Sequence, residues 1–239
     1  MALAVLGFSA VTRRDILPEP TATPIYDIEC RRCTRLATFL DRVREANPGY
    51  FCRPVPPFGV SDARLVIVGL APGMHGANAT GRPFTGDYAG ILLYATLHTY
   101  GFASQPDGTA RDDGLTLIDC RITNAVKCLP PDNKPAPAEI RNCNAYLAPD
   151  LARVPTGGAV LALGRIAHEA TLLALAMKRS SLKFAHGARH ELPRGIALFD
   201  SYHCSRYNTN TGRLTAPMFH AVFNAIAAHL GRGGARRAA

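Results

Sequence analysis

Short apolar runs alternate along this chain with longer segments whose apolar residues recur every three to four positions. Leu65-Val66-Ile67-Val68-Gly69-Leu70 is continuously apolar, the pattern of a strand buried on both faces, and Ala71-Pro72-Gly73 closes it in a turn. Residues 34–47 place Leu36, Phe39, Leu40 and Val43 on one helical face, and Pro48-Gly49 supplies the stop. The same reasoning predicts helices over 88–100, 138–153, 165–177 and 216–230, and strands over 116–124, 159–163 and 196–199. Arg53 to Gly59 and Pro130 to Pro137 read as proline-rich loops. Strands alternating with helices at these lengths predict βαβ units around a largely parallel sheet, hence one α/β domain over residues 25–230. A proline-punctuated arm, 1–24, precedes it, and a short basic tail, 231–239, reads as disordered.

Charge sharpens this picture. Lysine and arginine number 27 against 18 acidic residues, a formal excess of +9, and 47% of the chain is hydrophobic, which excludes wholesale disorder. The lysines are Lys127, Lys134, Lys178 and Lys183; every other cation is arginine, the side chain whose planar fork chelates phosphate. Such an excess points to a polyanionic partner or to an idle basic surface. No segment approaches the roughly 20 apolar residues of a membrane span. Gly157 to Met177 comes nearest and is broken by Arg165, His168 and Glu169. The apolar run before Arg13 and Arg14 lacks a basic leader, so no signal peptide is expected and the expected location is the cytoplasm.

The cysteines change the reading again. Seven is an odd number, and Cys30-Arg-Arg-Cys33 has a ligand-like spacing, which favours metal or cluster ligation over a disulfide framework. Cys128 and Cys143 complete a set of four thiols for Zn²⁺ or an iron–sulfur cluster, and composition alone leaves both open. Cys52, Cys120 and Cys204 read as ordinary small residues.

Ligands of open α/β sheets bind beyond the carboxyl ends of the strands, so the segments after each strand are where chemistry is expected. Gly69 to Gly73 with His75 and Thr80 to Asp87, Thr123 to Cys128, and Ser201 to Arg213 converge on that rim. The glycines there fit neither a phosphate loop nor a dinucleotide fingerprint. Asp87, alone among carboxylates between Asp62 and Asp107, is either a helix N-cap or a reacting group. Phe84 is a core residue or a stacking platform for a base. Asn124 offers a donor and an acceptor to a nucleobase edge, or satisfies local backbone. His203 is a core histidine or a functional one at the head of a polar loop.

These motifs resemble those of the type B, or family 5, iron–sulfur uracil-DNA glycosylases. The matching stretches are Gly69-Leu-Ala-Pro-Gly73 through Gly81-Arg-Pro-Phe-Thr-Gly-Asp87, Thr123-Asn-Ala-Val-Lys-Cys128, and His203-Cys-Ser-Arg through Asn208-Thr-Asn-Thr-Gly-Arg213. They come with the N-terminal Cys-x-x-Cys and two cysteines flanking the proline loop, and the likeness spans about residues 25 to 230. The resemblance implies a three-layer α/β/α sandwich and a [4Fe–4S] cluster on Cys30, Cys33, Cys128 and Cys143, with Arg31, Arg32 and Lys127 near DNA phosphate. It further implies hydrolysis of the N-glycosidic bond of uracil, and of other deaminated bases such as hypoxanthine, flipped out of DNA. Phe84 would stack on the base, Asn124 would read its edge, and backbone amides of Ala71 to Gly73 would add bonds. His203 would stabilise the departing anion, and Asp87 would stabilise the sugar cation or position water. Arg206, Asn208 and Arg213 would contact the duplex.

This chain has Ala71 where related families carry an acidic or amide residue, and Met74 and Cys204 stand at variable motif positions. No motif lysine other than Lys127 exists, which disfavours a Schiff-base lyase. The absence of an Arg-Arg-Ile-His run disfavours the DNA-cross-linking branch. The expected protein is a monomeric, monofunctional enzyme leaving an abasic site. The alternative is a non-enzymatic iron–sulfur or zinc nucleic-acid-binding or redox-sensing module, which gives no reason for Asp87, Asn124 and His203 together.

Overall fold

The sheet follows directly from the apolar runs. In the computed structural model, which describes residues 26–235, the strands are β1 (Phe58–Gly59), β2 (Leu65–Gly69), β3 (Cys120–Asn124), β4 (Ala159–Leu163), β5 (Arg189–Glu191) and β6 (Ala197–Ser201). Their order is β1-β3-β2-β4-β6-β5. The four inner strands are mutually parallel, and the two edge strands pair antiparallel. The arm 1–24 and the last residues of the basic tail lie outside the described residues.

The helices are α1 (Thr34–Ala46), α2 (Ala77–Thr80), α3 (Tyr88–Thr99), α4 (Pro137–Ala152), α5 (Arg165–Ala174), α6 (Arg206–Asn210) and α7 (Ala216–His229). Side chains of a strand alternate between faces. Leu65 and Ile67 of β2 therefore pack with Leu93 and Leu97 of α3 and Phe219 and Phe223 of α7. Val66 and Val68 point the other way, into Leu147 and Leu151 of α4 and Ala167 and Ala170 of α5. The result is the α/β/α sandwich expected, with each fully buried aliphatic side chain contributing about 1.5–3 kcal/mol. Among the described residues no helix is long and apolar enough to cross a membrane.

The differences from the sequence reading have local causes. The predicted strand 116–124 begins only at Cys120, because Asp119 takes a left-handed φ of 54° that turns the chain into the sheet. Its carboxylate holds that turn by accepting from the Arg64 backbone N–H and Nε–H, at 2.8 and 2.7 Å. The helix predicted to reach Met177 stops at Ala174, where Ala176 turns left-handed and the Met177 N–H returns to the Leu172 carbonyl. Strands β1 and β5 escape the hydrophobic pattern because each is a two- or three-residue edge held by backbone pairing.

A buried polar knot ties β6 to α5 and to the chain before β5. His168 places Nδ1 2.8 Å from Asp200 Oδ1 and Nε2 3.1 Å from the Leu182 carbonyl, while His190 Nε2 lies 3.1 Å from Asp200 Oδ2. Both partners of His168 only accept, so the ring carries both protons and forms a buried ion pair with Asp200. Burial lowers the His168 pKa, but the bond to Asp200 and its charge outweigh that, and the net direction is upward. The stability from this pair is therefore present in full below the ordinary histidine value and is lost as pH rises through the raised folded value. Thermal melts across neutral and mildly alkaline pH should show this decline in the wild type and a flatter profile in His168→Gln. Asp200→Ala, which strands the imidazolium, should cost about 3–5 kcal/mol in chemical denaturation.

Candidate functional site

Parallel register brings the carboxyl ends of the inner strands level: Gly69 sits beside Asn124, and Leu163 beside Ser201. The loops leaving β2, β3 and β6 therefore open onto one cleft of about 390 Å³, within the range for small-molecule sites. Ala71, Gly73, Phe84, Asp87, Asn124 and His203 all line it. These are the catalytic and base-binding candidates of the sequence reading, brought together from three separate loops. Asn133, from the proline loop after β3, lines the same cleft and carried no sequence signal.

Asn124 is only 3% exposed, yet among the described residues no group bonds its side-chain amide. Its carbonyl is occupied by Lys127 Nζ at 2.9 Å, which leaves the amide turned to the cleft. The residue as a whole is buried, but its amide atoms open onto the cleft, where a ligand can bond them. Likewise, the N–H groups of Ala71 and Gly73 have no acceptor among the described residues. Gly69 is required here by close approach: a Cβ would fall 2.3 Å from Asn124 Oδ1 and 2.9 Å from the Phe84 ring.

Phe84 adopts a left-handed φ of 54°, a conformation that costs a bulky residue about 1–3 kcal/mol. The flanking residues hold it there. Arg82, buried, forks onto Asp113 at 2.8 and 2.6 Å and donates Nε–H to Thr85 Oγ1 at 2.7 Å. The Tyr94 hydroxyl donates to the Pro83 carbonyl at 2.6 Å, and helix α3 approaches so closely at Gly90 that a Cβ would overlap the Phe84 carbonyl. The Arg82 guanidinium, with backbone bonds, holds the Asp113 carboxyl well below the usual range. Asp113 and Tyr94 are distant in sequence from the motif they support, so sequence reasoning missed both.

Asp87 meets its N-cap reading and keeps a second oxygen beside the cleft. Oδ1 accepts from the Gly90 N–H at 2.9 Å and caps α3, while Oδ2 lies against Gly76, where a Cβ would come within 2.6 Å, and faces Gly73. Burial raises its pKa, and the bonds from Gly90 and Ala89 partly offset that. Across the cleft, the His203 ring lies 5.8 Å from Phe84 at an interplanar angle of 25°. Desolvation lowers the His203 pKa to about 4, so the ring is neutral near pH 7. Among the described residues none bonds either ring nitrogen.

The DNA-contact candidates separate. Arg213 is exposed and lies 4.7 Å over Tyr202; Arg206 is exposed and lies 5.0 Å over Tyr88 at the cleft mouth. Asn208, expected beside them on the DNA surface, turns inward and donates to the His203 carbonyl at 2.8 Å, thereby holding the histidine loop. Tyr207, not singled out in the sequence, is 70% exposed between them.

Cys30, Cys33, Cys128 and Cys143 gather around a second, small cavity of about 20 Å³. The Lys127 N–H donates to Cys143 Sγ at 3.2 Å and Asn142 Nδ2 to Cys33 Sγ at 3.6 Å. A tetrahedral zinc site, with Zn–S near 2.3 Å, needs sulfurs about 3.8 Å apart. Among the described residues the one trio of donors within 4.8 Å of one another is His168, His190 and Asp200, so no three of these thiols are that close. Two buried hydroxyls without partners among the described residues, on Tyr26 and Tyr146, lie at the same place. Burial raises the Cys128 and Cys143 thiols, which a bound cationic centre would reverse.

Lys127 corrects a sequence expectation. Its side chain is 1% exposed, bonded to Thr123 Oγ1 and the Asn124 carbonyl with Asp150 at 4.0 Å, so it cannot meet DNA phosphate. The charge at this position is a brace between the thiol loop and Asn124. Of the other two neighbours, Arg31 is paired with Asp41 on the surface and Arg32 lies 5.6 Å over the Tyr146 ring.

A doubly covered parallel sheet with an amide, a histidine and a carboxylate gathered in one cleft at its strand ends has the layout of an α/β enzyme. A family model for the uracil DNA glycosylase superfamily matches residues 56–227. The chain is 47% identical over 195 residues to a type-5 uracil-DNA glycosylase of Thermus thermophilus, covering 80% of this chain and 89% of that one. It is 40% identical over 208 residues to one of Pyrobaculum aerophilum, covering 85% and 90%. To one of Mycobacterium tuberculosis it is 42% identical over 202 residues, covering 81% and 75%. The chain belongs to the uracil DNA glycosylase superfamily, in its type-5 branch.

Gly69→Ala should force the Asn124 amide and the Phe84 ring apart and cost about 1–3 kcal/mol by overpacking. Urea denaturation would read that loss, and an unchanged midpoint would refute the close approach.

Proposed function

We propose that this protein hydrolyses the N-glycosidic bond of uracil, and of other deaminated bases such as hypoxanthine, in DNA. The observation that carries the reading is the unpartnered Asn124 amide sharing one cleft with Asp87 and His203. A base stacked in a duplex cannot reach such a cleft, so the nucleotide is flipped out. Resting on Phe84 at about 3.5 Å, the base would lie beside the nearly parallel His203 ring and present an edge to it. Asn124 and the free Ala71 and Gly73 N–H groups bond other positions of the base. A pocket that reads through one amide and backbone groups accepts more than one deaminated base.

Departure of the base leaves negative charge on it and positive charge on the sugar. Neutral His203 donates a hydrogen bond to the developing anion without the cost of moving a proton. Oδ2 of Asp87 faces the opposite charge, stabilising the sugar cation or orienting water. With no lysine exposed in the cleft, the product is an abasic site in an unbroken strand. Arg206 and Arg213 take phosphates, and Tyr207, the large exposed side chain of that loop, fills the space vacated by the base. Cys30, Cys33, Cys128 and Cys143 hold a [4Fe–4S] cluster, which when bound ties the segment before α1 to α4 and to the loop beside Asn124. The reading places the protein in the cytoplasm as a monomer.

Oligonucleotides carrying one uracil or one hypoxanthine, incubated with protein and then hot alkali, should break only at the lesion and only after alkali. Intact strands from cluster-loaded protein that still binds DNA would sink the reading. His203→Ala should slow single-turnover cleavage about 10²–10³-fold, and because the wild-type ring is protonated only below about pH 4, its rate profile should show no histidine step near neutrality. Asp87→Asn should lower turnover with DNA affinity nearly unchanged; a comparable loss of binding would remove the assigned role.

A further inference from the structure

Two of the three buried side-chain polar atoms that lack a partner among the described residues are the hydroxyls of Tyr26 and Tyr146. The two rings meet edge to face, with centroids 5.6 Å apart, and Tyr146 lines the thiol cavity. A buried hydroxyl left unbonded costs about 1–3 kcal/mol, so two side by side call for an acceptor that both can reach. The thiols of Cys128, Cys143 and Cys30 stand around Tyr26, and that of Cys30 stands beside Tyr146, with Arg32 and Asp27 also nearby. The arrangement also completes a set. Cys143 and Cys33 already receive N–H donors from Lys127 and Asn142, whereas Cys30 and Cys128 receive none among the described residues. Arg32 closes the cavity from outside, 5.6 Å over the Tyr146 ring.

We infer that Tyr26 and Tyr146 donate their hydroxyl hydrogens to the sulfur atoms of the bound iron–sulfur cluster, setting its reduction potential and holding it against loss. The inference rests on the cluster assignment above and goes beyond its structural role. A hydrogen bond to a cluster sulfur stabilises the extra negative charge of the reduced state, so each donor raises the potential. The same bonds, with the two rings packed edge to face and Tyr146 lining the cavity, exclude water from the iron–sulfur bonds. Neither tyrosine approaches the base cleft, so the effect is separable from cleavage.

Iron and labile sulfide are first measured in purified wild-type protein; their absence would fail the cluster assignment itself. With the cluster present, Tyr146→Phe, Tyr26→Phe and the double variant are titrated with redox mediators and followed by electron paramagnetic resonance. Each single variant should shift the potential to more negative values, the double variant furthest, and each should release iron to a chelator several-fold faster than wild type. Should Tyr146→Phe fail to retain iron during purification, Tyr26→Phe decides. Full iron content with wild-type potential and release rate in that variant would overturn the inference.

Discussion

The site depends on the parallel pairing of β2 with β3, which sets Gly69 beside Asn124 at the end of the ladder. Because Gly69 has no side chain, the Asn124 amide and the Phe84 ring pack onto its Cα from different loops. The ladder then continues past the strands, with the Ala125 and Val126 N–H groups donating to the Gly69 and Leu70 carbonyls. That extension delivers Lys127 and Cys128 at a defined height above the sheet. One backbone register thus positions the Asn124 amide, the Phe84 ring and the Cys128 thiol.

Around that pairing the protein confines its unfavourable geometry to the cleft and supports it from outside. Phe84 is held at a positive φ by the Arg82–Asp113 fork and by the Tyr94 hydroxyl, all buried. Lys127 is a buried charge shared among Thr123, the Asn124 carbonyl and Asp150; burial lowers its pKa and Asp150 opposes that. Asn208 does the same for the third loop by bonding the His203 carbonyl. Lys127 and Asn208 sit in motifs where sequence reading sees candidates for DNA contact, and each holds a neighbour in place. The groups left free in the cleft are the ones able to act on a ligand.

The thiol cavity fastens distant pieces of chain. Cys30 and Cys33 precede α1, Cys128 follows β3, and Cys143 lies within α4, so a single bound centre would crosslink segments that also meet in two small apolar clusters. Arg35 reinforces the same junction by bonding Glu139 of α4 at 2.7 and 2.8 Å.

The apolar runs and their spacing determined the inner strands, the long helices and the layer order, because burial on two faces demands continuous apolar strands and burial on one demands helical periodicity. The glycine, asparagine, aspartate and histidine of the cleft were legible for a related reason: an open parallel sheet leaves room for a ligand only at its carboxyl rim. Tertiary structure decided what pattern cannot encode. It turned Lys127 inward and Tyr207 outward, gave Asp87 a capping oxygen and a free one, and set Asp113 under Phe84 and two tyrosines against the cysteines. Those assignments depend on which side chains distant in sequence meet at bonding distance, and a hydrogen bond or ion pair has no periodicity along the chain from which to be read.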